Sequence, residues 1–229
     1  MMIWVVIPAY NEEKSIGLVL ADLPQEVDEV VVVNNGSTDN TVIEAEKAGA
    51  TVLTESRKGY GYACLTGIHY LKSKAKQGDI VVFLDGDYSD YPEELNALVA
   101  PIQQQKALFV LGTRVTPQLE KGALTPQQRF GNALATQLMR WIYGARFTDL
   151  GPFRAIEWET LMALDMNDKT YGWTVEMQLK ILKKAIPYIE IPVRYRPRIG
   201  VSKVSGTVKG TLMAGYKIIG WILIYSLKR

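Results

Sequence analysis

Two carboxylates spaced two residues apart, Asp85 and Asp87, carry the most readable chemistry in this chain. They close an apolar run, residues 81–84, long enough for one buried strand. Side chains at i and i+2 of extended backbone point the same way, so the pair converges on one point. Gly86 between them lets a ligand approach the backbone. Two ionised carboxylates held together repel unless a cation lies between them. Hard divalent ions such as Mg²⁺ or Mn²⁺ take oxygen ligands and bridge to phosphates. Taken alone, such a pair reads more readily as a solvated acidic turn; what surrounds it decides.

The elements that position this pair recur with a regular rhythm. Strands are expected at residues 3–7, 29–33, 51–54 and 80–84, with helices at 12–20, 41–48 and 62–74 between them. The first strand is expected to stop at Pro8, which cannot donate to a ladder. Strand and helix in alternation give βαβ units and a mainly parallel sheet, whose strand C-termini share one edge. Residues 8–12, 34–39, 57–61 and 85–87 then line a single crevice, the place where open α/β sheets bind nucleotides. Further on, Pro92 opens a helix, residues 107–111 form a strand ending near Arg114, and Thr125-Pro126 caps a long helix reaching Tyr143. Phe130, Leu134, Leu138 and Trp141 recur on it at helical spacing and are expected in the core. Residues 147–154 read as a polar turn, 174–185 as a helix and 189–195 as a strand. Arg194, Arg196, Arg198 and Lys203 cluster around Gly200 and are expected to bind an anion.

Composition narrows the function classes. The 229 residues suffice for one large domain, and the net charge of +2 gives no field of the kind nucleic-acid binders carry. One cysteine, Cys64, excludes an internal disulfide framework and suits a reducing, cytoplasmic setting; it is expected in the core. The only histidine, His69, has no metal-spaced partner and is read as structural. The first residues read as a strand and lack the basic region and cleavage site of a leader.

These landmarks, VVIPAYNEE, VVVNNGSTDNT, RKGYGYACLTG, FLDGDYSDYPE, GTR, TDLGPFRA and VRYRPRIGVSK, together resemble the family-2 inverting glycosyltransferases of the GT-A fold. The likeness is greatest to their polyprenyl-phosphate (dolichol-phosphate) branch and covers nearly the whole chain. It implies an α/β fold with a Rossmann-like sheet, in a domain spanning 1–205, followed by a C-terminal helical extension at 206–229. It also implies a nucleotide-diphosphate sugar donor, a hexose on UDP or GDP, with Mg²⁺ or Mn²⁺ as cofactor. By this resemblance Pro8, Ala9, Tyr10, Glu12, Asn35, Asp39, Lys58 and Asp85 hold the nucleotide, and Asp85 and Asp87 hold the metal. Arg114, Arg129, Arg154, Arg198, Ser202 and Lys203 bind phosphate or acceptor, and Asp87, Asp149 and Arg154 serve catalysis. The family's usual Asp-Asp-Gly-Ser is here Asn34-Asn35-Gly36-Ser37. An amide both donates and accepts, which leaves uracil and guanine open.

A phosphate acceptor is already ionised near neutral pH and needs cations rather than a base. A hydroxyl acceptor needs a general base, for which Asp149 is the candidate. A sugar-phosphate nucleotidyltransferase is disfavoured, because Pro8-Ala9-Tyr10-Asn11 stands where its glycine-rich loop would be. A non-catalytic sugar-nucleotide-binding subunit of a membrane assembly remains the reading from another class. Residues 208–227 form a helix apolar on nearly every side, with an uninterrupted run shorter than the ~20 residues of a membrane span. Peripheral contact with the cytoplasmic membrane face, where a lipid-phosphate acceptor would lie, is the expectation.

Overall fold

A computed structural model describes residues 1–200 and 208–227 of the chain, with side chains of the last helix described from 215 to 225. Seven strands form one sheet: β1 (Ile3–Ala9), β2 (Glu29–Asn34), β3 (Thr51–Thr54), β4 (Ile80–Phe83), β5 (Phe109–Thr113), β6 (Arg154–Glu157) and β7 (Tyr188–Pro192). Their order is β3-β2-β1-β4-β6-β5-β7. The first four strands run parallel, as the alternating pattern requires. β7 is parallel to β5, while β6 is antiparallel to both its neighbours. The helices are α1 (Ile16–Ala21), α2 (Thr41–Lys47), α3 (Tyr60–Leu71), α4 (Leu95–Gln103), α5 (Pro126–Tyr143), α6 (Trp158–Leu164), α7 (Trp173–Lys183) and α8 (Val208–Leu227).

The period of two along β1 splits the interior into two layers. Ile3, Val5 and Ile7 enter a core with Ile16 of α1, Ala45 of α2 and Leu98 of α4. Trp4 and Val6 enter the opposite core, with Cys64 of α3, Met139 of α5, Trp173 of α7 and Ile222 of α8. Burial on both faces explains why the strands read as continuous apolar runs.

Four sequence expectations change. β1 does not stop at Pro8; it runs to Ala9, with Pro8 in register with Val33 of β2. Val6 turns its carbonyl toward Leu84, the last bond on the β4 side. Pro8 has the same parity as Val6, so its missing N–H faces the side where that ladder has ended. The first helix begins at Ile16 rather than Glu12, because Asn11 sits at φ 55° and the chain first makes a turn whose Ser15 and Ile16 N–H groups donate to the Glu12 carbonyl. The segment expected as a turn at 147–154 leads into β6, which α6 follows at once. Of the apolar stripe on α5 only Leu138 packs against the core; Phe130, Leu134 and Trp141 do not.

α5 begins and ends as its sequence demands. Thr125 and Gln128 form a reciprocal capping box, and Gly144 closes the helix at φ 65°. Its rotation is set by Asn132, whose amide donates to Thr148 O at 3.1 Å and accepts from Leu150 N–H at 2.9 Å. That turns Ala135, Thr136 and Met139 inward and leaves Phe130 70% and Trp141 73% exposed. Leu134 and Ile142 are exposed as well. Periodicity reveals that a helix has two faces, not which of them meets the sheet. α8 docks on its own domain: the Trp221 indole donates to Asp168 Oδ2 at 2.6 Å, Lys217 pairs with that oxygen at 3.0 Å, and Tyr143 donates to Ile222 O at 2.6 Å. No described helix is long and apolar enough to cross a membrane.

Thr125→Ala removes one half of the capping box. It should lower unfolding free energy by about 1 kcal/mol, read as a fall in the urea midpoint with unchanged slope.

Candidate active site

The sheet's C-terminal edge holds a crevice of about 320 Å³. It gathers Pro8, Ala9, Tyr10, Glu12, Asn35, Lys58, Asp85, Asp87 and Arg198, all anticipated from sequence. Tyr60, within the 57–61 segment expected at this edge, lines it too, and so does Tyr171, which was not anticipated. Tyr60 belongs to the glycine-flanked turn that opens α3, so its position was readable; Tyr171 sits on the loop before α7, far away in sequence, with no local signal. Two other hollows, about 480 and 530 Å³, lie elsewhere and are not lined by paired carboxylates.

The acidic pair is asymmetric. Asp87 Oδ1 accepts from Ser89 N–H at 2.9 Å, and Oδ2 lies 3.1 Å from Arg198 Nη1. Asp85 Oδ1 is buried with no hydrogen-bond partner among the described residues, and so is the Tyr60 hydroxyl. Burial first, then the neighbouring Asp87 charge, pushes the Asp85 carboxyl up to about 7. Asp90 lies deeper, with both oxygens unpartnered among the described residues. Burial, then repulsion from Asp85 and Asp87, raises its pKa well above the ordinary carboxylate value.

Asn35 explains its own departure from the carboxylate usual in the resemblance. Its Nδ2 donates to Glu55 O at 3.0 Å and Arg57 O at 2.8 Å, while Oδ1 accepts from Gly59 N–H at 2.8 Å. A carboxylate has no proton to give those carbonyls. The amide thus fixes the β3–α3 loop that presents Lys58, whose ammonium lies 5.2 Å from the Tyr10 ring centre.

Several expected site residues lie outside the crevice lining. Asp39 bonds the Glu13 N–H at 3.2 Å and the backbone and hydroxyl of Thr41, which pins the β1–α1 and β2–α2 loops together. Arg129 is exposed on the first turn of α5. Arg154 is fully buried; it donates to the carbonyls of Gly151, Pro152 and Thr174, and burial lowers its pKa to about 10. It holds backbone rather than reaching the crevice. Arg114 and Asp149 bind each other, Nε to Oδ2 and Nη2 to Oδ1, both at 2.8 Å. Burial pushes the Asp149 carboxyl up, but Arg114 outweighs it and holds the group below its ordinary value. Leu150 N–H takes a further place on Oδ1. A carboxylate so engaged is a poor proton acceptor, and its partner is Arg114, not Arg154.

The basic cluster also divides. Arg194 pairs with Glu93 and Glu94, and Arg196 donates to Tyr88 O and stacks on Tyr91. Among the described residues of that cluster only Arg198 lines the crevice. Ser202 and Lys203 lie outside the described residues.

The sheet edge thus brings together a crevice, an acidic pair and an opposing arginine. The Glycosyl transferase family 2 model matches residues 4–163, and the chain belongs to that family. An uncharacterized glycosyltransferase of Mycobacterium tuberculosis is 32% identical over 211 residues, covering 92% of this chain and 93% of that one. A dolichyl-phosphate hexose transferase of Haloferax volcanii is 32% identical over 207 residues, 88% of this chain and 86% of that one. An undecaprenyl-phosphate mannosyltransferase of Micrococcus luteus is 29% identical, covering 92% and 90%. Among solved structures, glucosyl-3-phosphoglycerate synthase from Mycobacterium tuberculosis, in complex with Mn²⁺, UDP and phosphoglyceric acid, superposes with a TM-score of 0.78 at 22% identity, covering 99% of this chain and 78% of that one. The fold is therefore GT-A, and the chain is a nucleotide-sugar-dependent glycosyltransferase.

Asp149→Asn leaves the buried Arg114 charge uncompensated. It should destabilise the fold by about 3–5 kcal/mol, measured by chemical denaturation. A variant that keeps wild-type stability but loses all transfer would return Asp149 to the role of base.

Proposed function

We propose that this chain transfers a hexose, with inversion, from a UDP- or GDP-linked donor to a phosphate-bearing acceptor. The observation that carries this reading is Asp85 Oδ1, buried without a hydrogen-bond partner of normal geometry among the described residues although Tyr60 lies near it, beside Asp87 in the crevice. An orphaned buried carboxylate oxygen is costly unless a ligand completes it. Mg²⁺ or Mn²⁺ fits there: the donors are hard oxygens, and structural relatives were crystallised with Mn²⁺ or Mg²⁺ and UDP. Asp85 and Asp87 would hold the ion, which supplies charge neutralisation for the leaving diphosphate. Pro8, Ala9, Tyr10 and Asn35 border the space for base and ribose. The cation of Lys58 stands at the same opening.

A phosphate acceptor is favoured because Asp149 is locked to Arg114. An ionised phosphate oxygen attacks the anomeric carbon without help from a base and needs only to be placed. Two relatives' names specify polyprenyl phosphates; the phosphoglyceric acid in the structural relative's complex carries both a hydroxyl and a phosphate and does not separate the two kinds of acceptor. A lipid acceptor is supported further by the surface. α5 exposes Phe130, Leu134, Trp141 and Ile142, α8 exposes Tyr216, Leu223 and Ile224, and neither helix contains an acidic residue. Arg129 and Arg140 stand exposed on α5. Apolar side chains with basic neighbours suit the anionic face of a bilayer.

Transfer assays with UDP- and GDP-hexoses against undecaprenyl phosphate, 3-phosphoglycerate and a neutral glycan test this reading. Turnover with undecaprenyl phosphate and none with the glycan is expected; turnover with the glycan or on the hydroxyl of 3-phosphoglycerate, and none with undecaprenyl phosphate, would restore the hydroxyl acceptor. No turnover with retained donor binding would favour a non-catalytic subunit. Asp87→Asn should reduce turnover by roughly 10²-fold or more, and excess chelator should abolish it.

Liposome flotation tests the surface. Wild type should float with anionic vesicles, and the double variant Phe130→Ser/Trp141→Ser should remain at the bottom of the gradient with its melting temperature unchanged. Equal flotation of both proteins removes α5 from the account.

A further inference from the structure

Arg198 already occupies the place where a metal has to act. Its Nη1 lies 3.1 Å from Asp87 Oδ2, and its Nη2 lies 2.9 Å from Glu12 Oε1. The other Asp87 oxygen is committed to the Ser89 backbone N–H and hydroxyl. Oδ2 is therefore the oxygen left for a divalent ion, and a guanidinium holds it. The backbone on either side of this arginine is fixed. Ile199 N–H donates to Asp87 O at 3.0 Å, and Arg196 N–H donates to Ser89 O at 3.0 Å. The side chain is less fully engaged. Its Nε is buried with no acceptor among the described residues. A guanidinium N–H without an acceptor at the edge of a nucleotide crevice is a donor set for an anion.

We propose that Arg198 is an internal counter-ion, which a divalent metal displaces from Asp87 and which then holds the donor's diphosphate. This rests on the metal-dependent donor site proposed above and adds a prediction that site does not require. A divalent ion bonds a carboxylate oxygen at about 2 Å. At Oδ2 it would face a like charge across ion-pair distance, so the guanidinium has to move. With metal alone the arginine loses one carboxylate and gains nothing. With metal and a nucleoside diphosphate together it gains a bidentate phosphate partner. Metal and nucleotide therefore favour one another, and by linkage the effect is reciprocal. Glu12 keeps the displaced side chain close by, through the Nη2 contact, without competing for the metal's oxygen.

The test is Mn²⁺ binding by the full chain, followed by the electron paramagnetic resonance signal of free Mn²⁺, with no nucleotide, with UDP and with GDP. In the wild type a bound nucleoside diphosphate should tighten Mn²⁺ by a factor within roughly 5–150. Arg198→Gln should bind Mn²⁺ alone about tenfold more tightly than wild type, and the nucleotide should then add several-fold less. Arg198→Lys keeps the charge without the fork, and it should fall between the two. Lys184→Gln, at the exposed end of α7, removes one positive charge elsewhere and should behave as wild type. Circular dichroism checks each variant's fold, and Arg198→Lys carries the comparison if Arg198→Gln fails to fold. If the Arg198 variants bind Mn²⁺ no more tightly than wild type, or keep the full nucleotide effect, the counter-ion role is wrong while the metal site stands. If the wild type binds no Mn²⁺ with either nucleotide, the metal-dependent donor site itself is wrong, and this inference goes with it.

Discussion

Negative charge at the end of β4 is the constraint around which the molecule is arranged. Asp87, Asp90 and Asp149 are buried, Asp85 is half-buried beside them, and the four lie close enough to feel one another's charge. Charge in such a place has to be answered. Each group is answered differently. Asp149 is matched by the fork of Arg114. Asp90 has its pKa raised, because burial and its neighbours make ionisation costly. Asp87 takes Arg198. Asp85 retains an oxygen with no partner among the described residues, and the function follows from that remainder.

The surrounding loops are held by close backbone approaches rather than by large contacts. A Cβ on Gly61 would stand 2.1 Å from Asp168 O, and one on Gly59 would stand 2.3 Å from Lys169 O. The start of α3 and the loop at 168–172 therefore lie directly against each other, with Tyr62 N–H donating to Lys169 O at 3.1 Å. That loop presents Tyr171 to the crevice, and its Asp168 also anchors Trp221 and Lys217 of α8. One short loop thus joins the donor side of the site to the C-terminal helix.

Much of this was legible because the signals were local. Asp85-Gly86-Asp87 follows an apolar run, and the parallel rhythm of the first four strands brings 8–12, 34–39 and 57–61 to the same edge by topology alone. What was not legible depends on distant partners. Arg114 and Asp149 are 35 residues apart, and nothing in either segment announces the pair. Arg154 looked like a phosphate ligand by its motif and proved to be a fastener of backbone carbonyls. The β6 strand was hidden because it is short, runs against its neighbours and is preceded by a turn. Of the stripe on α5, Leu138 packs on the core as expected while Phe130, Leu134 and Trp141 face outward, because Asn132, a polar residue, sets the rotation.

The most direct measurement is a crystal structure of the protein grown with Mn²⁺ and a nucleoside diphosphate, with data collected at the manganese edge. An anomalous peak is predicted between Asp85 and Asp87, within bonding distance of Asp85 Oδ1 and Asp87 Oδ2, with the Arg198 guanidinium turned from Asp87 to a phosphate. A nucleotide bound in the crevice with no anomalous peak at these carboxylates, and Arg198 still on Asp87, would contradict the account.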